Sequence, residues 1–441
     1  MSSNIPPMVP LSELSFYDKI PLFTHNLLKF FYFLNENSRT PFTLTKKFFL
    51  TLATEAQLLE DMLDFHGAKN NDEWFLFREF CASTYHLSMA AYYHLHLLSR
   101  FSCTQCTDRK VQPILKNSLR VEEFFRTSLL KLSLPILKEA KKLKLPVPKT
   151  PLDPSLFHTT MTRDRLLYDI DDIDHDQQKT YISKIASDFL KIAQDIEQLA
   201  FRCEAQKDVT LLVPAHINET IIWQFENNLH NLQSIFDTYV VAGGYRHAKQ
   251  VLLNFRKALS MVIHLFQIAG KLLHLYERHL LTATTKSAYQ KVQKKLQKII
   301  LPDRLLNVAV RYGVGTACQI VLESRSLAND ILNMYVETGE IEVPIPKNMG
   351  FHSRPSLMVA RIVQHYGGTV TLCVGEDQFD AASVLDIQWA GGKIQKEKIE
   401  TVIFRGDRRT LHDLKILANV NYGEDLMGKG ILLPNELSYL K

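Results

Sequence analysis

Over residues 1–340 the apolar positions recur every three or four residues across long windows, the period of a helix rather than the alternation of a strand. The clearest run is 217–281. There Trp223, Phe225, Leu229, Leu232, Phe236 and Tyr239 set the spacing, Gly243-Gly244 interrupts it, and Leu252, Phe255, Leu259, Val262, Phe266 and Leu273 resume it. The same spacing predicts helices over 44–65, 74–100, 121–143, 180–203 and 304–336. Glycine and proline are sparse in these runs, so the pattern predicts antiparallel helical bundles. The strongest punctuation is 143–154, Leu-Lys-Leu-Pro-Val-Pro-Lys-Thr-Pro-Leu-Asp-Pro, whose four prolines predict a linker. A chain of 441 residues is too long for one core. We therefore expect an N-terminal helical domain over 1–145, a linker over 146–154 and a central helical domain over 155–338.

Beyond 338 the pattern changes. A short extended segment, 341–345, runs into Gly350-Phe351-His352-Ser353-Arg354-Pro355-Ser356, and a helical apolar period starts after it. Proline suits the first turn of a helix, where its missing N–H would have had no partner. His352 is then expected at or just before a helix N-terminus, where unpaired N–H groups favour an anion. Arg354 adds a fixed positive charge on a planar donor fork. A histidine, a helix N-terminus and an arginine together point to a phosphorylated histidine.

These residues resemble the active-site motif of HPr, the histidine phosphocarrier of the bacterial phosphotransferase system, and the resemblance extends over about 341–426. It implies an α+β open-faced sandwich in the order β-α-β-β-α-β-α, within a domain spanning 339–441. Read in that order, the strands fall at 341–346, 369–374, 378–381 and 400–404, with a hairpin turn at Gly375-Glu376-Asp377. The helices fall at 354–366, stopped by Gly367-Gly368, then from Ser383 to Gly391-Gly392, then at 410–420. The resemblance makes His352 the phosphoryl acceptor, Arg354 the residue that balances the phosphoryl charge and Pro355 the helix start. Backbone N–H groups near Ser356 and Leu357 would add the helix-terminus contribution.

In the family a second, regulatory serine is phosphorylated by a dedicated HPr kinase, and Ser383 matches its place. The surroundings differ from the family pattern, with Ala382 before it and Asp386 three residues later. An acidic side chain so close disfavours added negative charge, so Ser383 reads better as a helix N-cap. The residues from 427 to the end run past a normal HPr end and read as a short extended tail against the body.

Charge, cysteines and the remaining histidines act mainly by exclusion. The 341–441 segment carries 12 basic and 12 acidic residues, so the helical part holds the whole excess of five positive charges. Lys141-Lys142, Lys286 and the lysines of 290–298 give local basic faces, but no nucleic-acid recognition motif accompanies them, and they read as solvated. Six scattered cysteines fit a reducing cytoplasm. Cys103-Thr104-Gln105-Cys106 lacks a second pair at zinc spacing and reads as a plain loop. His86, His94, His96, His264, His274 and His279 make neither an HxxxH pair nor an HExxH motif, so core and amphipathic positions explain them and no metal or cofactor is expected. Residues 80–99 lack Asp, Glu, Lys and Arg, yet three histidines and three tyrosines there favour a buried bundle helix over a membrane span. The early prolines of Met1–Pro10 and the polar breaks at His25, Asn26 and Lys29 do not read as a secretory signal.

The expectation is a cytoplasmic bacterial protein: helical bundles followed by an HPr-like domain. It would be a carrier rather than an enzyme, accepting a phosphoryl group on His352 from Enzyme I, with an unrecognised enzyme in the bundles, regulated by the HPr-like domain, as a weaker third reading. Permease-type or regulatory acceptor proteins would be its downstream partners in sugar transport or its regulation. The alternative is a docking scaffold that keeps the HPr-like fold without phosphorylation while its helical domains mediate assembly.

Overall fold

The computed structural model describes residues 13–38, 42–99, 112–150, 152–157, 175–241, 250–281, 287–335, 337–347, 349–367, 369–425 and 427–440. Met1–Pro10, Cys103 and Cys106, Pro151, Gly243-Gly244, Lys286 and Gly368 lie outside them. The described chain is mainly helical, with one small antiparallel sheet near its end. It packs as two compact units, one drawn from 1–167, 196–227 and 260–321, the other from 168–195, 228–259 and 322–441. The expected linker, 146–154, falls within the first of these.

In the first unit, α1 (Phe16–Glu36), α2 (Lys46–Phe65), α3 (Phe75–Ser99) and α4 (Gln112–Lys142) pack against one another. The 44–65, 74–100 and 121–143 periodicities thus become helices, while α1 forms around Pro21 despite its polar interruptions. Beyond the expected linker the chain is anchored. It leads to Phe157, which is buried with its ring 5.4 Å from Phe30 and 5.3 Å from Phe48. Thr45 Oγ1 also donates to the Phe157 carbonyl at 2.9 Å. Burying a phenylalanine contributes roughly 2–3 kcal/mol, enough to hold a proline-rich segment down.

Helix α5 (His175–Ala205) covers 180–203, and the 217–281 run gives α6 (Glu219–Phe236) and α7 (Gln250–His274), each continued by a short π-helical segment. The basic run forms α8 (Ser287–Ile299), whose Val292 and Leu296 are buried, as an amphipathic reading requires. The expected 304–336 helix is subdivided. It comprises α9 (Pro302–Leu306), a π segment Asn307–Gly315, α10 (Thr316–Glu323) and α11 (Arg325–Tyr335). Gly313 sits where a Cβ would lie 2.9 Å from Ala269 Cβ, so only glycine permits that close helix approach. Two helical stretches, Gln250–Leu280 and Pro302–Tyr335, are long and apolar enough to cross a membrane. Their apolar windows are 67% and 72% buried, as in the core helices of a soluble protein. Residues 80–99 lie in α3 with most side chains buried.

The second unit carries the sheet. The order is β1 (Thr338–Pro344), α12 (Ser353–Tyr366), β2 (Val370–Val374), β3 (Asp377–Asp380), α13 (Val384–Glu397), β4 (Thr401–Asp407) and α14 (Arg408–Asn419). This is the expected β-α-β-β-α-β-α succession, with boundaries shifted by a few residues. The sheet runs β1-β4-β2-β3, antiparallel throughout, pairing Ile341 with Phe404 and Leu372 with both Phe404 and Phe379. Strand alternation buries Val370, Leu372, Val374, Val402 and Phe404 against the helices. One expectation fails: Gly391-Gly392 does not stop α13, which runs on to Lys398 in the left-handed region. Inside the helix Gly391 admits a close neighbour: a Cβ there would sit 3.1 Å from the Phe351 carbonyl, whereas Gly392 faces open space. On the other side, Ser187 Oγ of α5 donates to the Tyr366 carbonyl at 2.6 Å.

In the first unit His94 is fully buried, its Nδ1 2.8 Å from the Tyr312 hydroxyl, beside a cavity of about 270 Å³ lined in part by Glu122 and Phe125. Burial lowers its pKa to about 4 from the usual 6.5. The unfolded chain therefore takes up this proton below about pH 6.5, while the folded chain resists it down to about pH 4. Stability should fall across that window by roughly 2–4 kcal/mol from this group. Denaturation midpoints measured from pH 7 to pH 4 should drop less steeply for His94→Gln than for the wild type. Parallel curves would show that His94 is not the group responsible.

Candidate functional site

His352 is the N-cap of α12, extended at φ −80° and ψ −169°. Pro355 follows as the third helical residue, inside the first turn, and Gly367 ends the helix at φ 70°. The Ser356 N–H donates to the His352 carbonyl at 3.1 Å, and the Ser356 hydroxyl donates to the Phe351 carbonyl at 3.1 Å. This corrects the anion-site expectation. The Ser356 N–H is spent on the first intrahelical bond, and that of Leu357, one residue deeper, belongs to the same ladder. With Pro355 lacking an N–H, the outward donors of the terminus are Ser353 and Arg354.

The imidazole does not stand alone. His352 Nε2 lies 3.1 Å from Glu424 Oε2, and Arg354 Nη1 lies 3.8 Å from Glu424 Oε1. The Glu424 side chain is fully buried, while those of His352 and Arg354 are 28% and 46% exposed. Arg354 Nη1 also donates to the Gly428 carbonyl at 3.0 Å. Both of its contacts fall on Nη1, leaving the rest of the guanidinium for a ligand among the described residues.

Glu424 reaches this place through an unusual backbone. Asn421, Tyr422 and Gly423 are all left-handed, at φ 48°, 56° and 81°, and Met349 and Gly350 before the histidine are left-handed at 54° and 61°. Such conformations cost a bulky residue about 1–2 kcal/mol and persist only where neighbours enforce them. The enforcement is visible. The Lys347 N–H donates to Asn421 Oδ1 at 2.9 Å, the Tyr422 hydroxyl to the Pro344 carbonyl at 2.8 Å, and Asn421 Nδ2 to the Glu424 carbonyl at 3.2 Å. Asp425 Oδ1 shapes the next turn by accepting from the Met427 and Lys429 N–H groups, each at 2.8 Å. That turn presents the Gly428 carbonyl to Arg354.

The tail packs on the body as expected. Leu437 and Leu440 are buried, Tyr439 stacks on His365 at 3.8 Å, and its hydroxyl donates to Asp413 Oδ2 at 2.6 Å. Ser383 caps α13: its Oγ accepts from the Asp386 N–H at 3.3 Å and donates to Asp386 Oδ1 at 3.1 Å. Its hydroxyl is occupied in the way the N-cap reading expects.

The structure thus joins His352, Arg354 and Pro355 and adds Glu424, which sequence reasoning missed. The one local signal was the turn-rich Asn421-Tyr422-Gly423, which marks a sharp reversal but not its destination. Compared with known proteins, the chain matches no protein-family model, no curated protein and no solved structure.

A carboxylate accepting from Nε2–H fixes the tautomer and leaves the lone pair on Nδ1. Nitrogen-detected NMR at neutral pH should find His352 in the Nε2–H form, and Glu424→Ala should mix the two tautomers. A wild-type ring protonated on Nδ1 would refute this arrangement.

Proposed function

We propose that the C-terminal part of the chain is an HPr-like phosphocarrier domain and that His352 takes a phosphoryl group from Enzyme I in the cytoplasm. The observation that carries this reading is the Glu424–His352 contact, which directs a nucleophilic lone pair to Nδ1 of the residue that caps a helix N-terminus, with Arg354 against the same carboxylate. The order of strands and helices supports it.

The chemistry is a displacement at phosphorus. The Nδ1 lone pair forms the new P–N bond as the bond from phosphorus to its carrier nitrogen on Enzyme I breaks, and that nitrogen keeps the electron pair. The Nε2 proton stays on the ring, held by Glu424, so the imidazole carries its positive charge where a buried carboxylate offsets it. Arg354 and the Ser353 and Arg354 N–H groups balance the phosphoryl oxygens. Transfer onward to a permease-type or regulatory acceptor is the same step in reverse.

A carrier also needs a surface for its partners. Leu357 on α12 and Leu385 and Trp389 on α13 are 39%, 64% and 70% exposed, and α13 packs beside the histidine loop through Gly391. Exposed tryptophan and leucine of this kind mark a docking face. The same face favours the second reading, a scaffold that docks proteins without phosphorylation.

The test is incubation of the full-length protein with phosphoenolpyruvate and Enzyme I of its host. The wild type should acquire an acid-labile phosphate, His352→Ala should acquire none, and Arg354→Ala should be labelled roughly 10–100-fold more slowly. An unlabelled wild type would overturn the carrier reading and leave the scaffold.

A further inference from the structure

Three histidines of the first unit meet although nothing in their sequence spacing announces it. His86 lies on α3, and His274 and His279 lie at the end of α7 and in the π segment Leu275–Leu280 that continues it. One ring nitrogen of each falls within 4.8 Å of those of the other two. The His86 and His274 rings stack at 4.1 Å, and the His279 ring lies 5.7 Å and 5.6 Å from them.

The π segment explains the juxtaposition. Five residues along an α-helix turn a side chain by about 140° from its starting direction. In a π-helix the i to i+5 hydrogen bond brings such residues back to nearly one side, and such segments cluster at functional sites. His274 and His279 therefore share a face that an α-helix would have split between them.

The surroundings are those of metal ligands. His279 Nδ1 sits 2.8 Å from Glu79 Oε2, and His274 Nδ1 sits 2.6 Å from Glu219 Oε1. Each carboxylate holds the Nδ1 proton and turns the Nε2 lone pair away from itself, which is how outer carboxylates orient ligating histidines. Arg78 Nη1 is also 3.5 Å from His279 Nδ1, but the shorter carboxylate contact fixes the proton. His279 and His86 are 4% and 5% exposed, and His279 Nε2 and His86 Nδ1 are buried without a hydrogen-bond partner among the described residues. Two orphaned acceptors in one buried cluster call for a shared electrophile. Arg78 and Lys271 are nearby cations. Glu60, Asp64 and Glu79 all contact Arg78, at 2.6, 2.7 and 2.9 Å, and Lys271 donates to the Tyr85 hydroxyl at 3.2 Å. Lys69 also pairs with Asp64 at 2.8 Å, and Arg278 lies 3.7 Å from Glu219, so these carboxylates and cations roughly balance and the case for a metal rests on the imidazole nitrogens.

We propose that His86, His274 and His279 form a three-nitrogen site for a divalent metal of the zinc class, oriented by Glu79 and Glu219. Imidazole nitrogens suit zinc and its neighbours rather than magnesium or calcium. Tetrahedral zinc at 2.0–2.1 Å from each nitrogen requires them about 3.3 Å apart, so binding draws the nitrogens together and turns the His86 and His274 rings out of their stack. Three protein ligands leave a fourth position for water or another small donor.

Full-length protein stripped with a chelator should take up one equivalent of zinc and melt at a higher temperature when loaded. Cobalt should bind the same site with the visible band of a tetrahedral nitrogen ligand set and without thiolate charge transfer, which separates it from binding at Cys103 and Cys106. His279→Gln and His86→Gln should lose that band. Glu79→Gln, which keeps all three ligands, should bind roughly 10–100-fold more weakly. No uptake by folded wild type, a thiolate spectrum, or an unchanged cobalt band in His279→Gln that retains its helical circular dichroism would each overturn the proposal. Because the wild-type spectrum is read first, a variant that fails to fold does not shield the proposal from refutation.

Discussion

A carboxylate removed from water must find compensating partners, and in the second unit Glu424 makes that demand on everything around it. Its side chain is fully buried, so both oxygens need positive or hydrogen-bearing neighbours. One oxygen faces His352 Nε2, and the other has Arg354 at 3.8 Å and, among the described residues, no hydrogen bond. The consequences run outward from there. Three successive left-handed residues bring Glu424 under the histidine loop, and that loop is itself turned by Met349 and Gly350. The tail then covers the reversal and buries Leu437 and Leu440. The charge thus accounts for the orientation of the imidazole, while the contacts of Asn421, Tyr422 and Asp425 hold the backbone that delivers it.

The same demand shapes the first unit with a different remainder. Arg78 is buried, and Glu60, Asp64 and Glu79 supply its partners. Burial raises the pKa of Glu60 despite Arg78, whereas hydrogen bonds from Arg78 and Lys69 lower that of Asp64. Desolvation therefore wins where the carboxylate is deeper, and hydrogen bonding wins where water still reaches. Glu79 spends its other oxygen on His279, and what remains over is a buried Nε2 with nothing to accept. In one unit the buried carboxylate leaves a nucleophilic nitrogen near the surface, and in the other it leaves lone pairs turned inward.

Legibility in the sequence followed the range of the interaction. Local signals were readable: the period of α2, α3 and α5, the glycine stop at Gly367, the cap at Ser383 and the strand–helix succession of the last hundred residues. Gly391-Gly392 misled because glycine serves two purposes, ending a helix or admitting a close neighbour, and only Phe351 in place decides between them. Beyond the proline-rich 146–154 segment, Phe157 packs against Phe30 and Phe48, a contact across more than a hundred residues that no local signal announces. Contacts across distance were silent. Glu424 lies 72 residues from His352, and His279 lies 200 from Glu79. No spacing rule reaches that far. The π segments were equally hidden, since a helical period of apolar residues does not reveal a local change of pitch.

This difference in range bears on how the phosphocarrier reading should be weighed. The motif at 350–356 is local, and a local motif can outlive its chemistry, since a helix N-terminus with proline and arginine is also a sound way to start a helix. Glu424 is of another kind. Helix α12 would form without it, because His352 already provides the extended cap and Pro355 the first turn. A fully buried carboxylate with one oxygen short of a hydrogen bond weakens the fold, and leucine there would bury more cheaply. A group that costs stability and yet meets the imidazole at the nitrogen that sets its tautomer is better explained by what it does to the other nitrogen. The balance of desolvation against contact at this one residue is independent of the seven-residue motif.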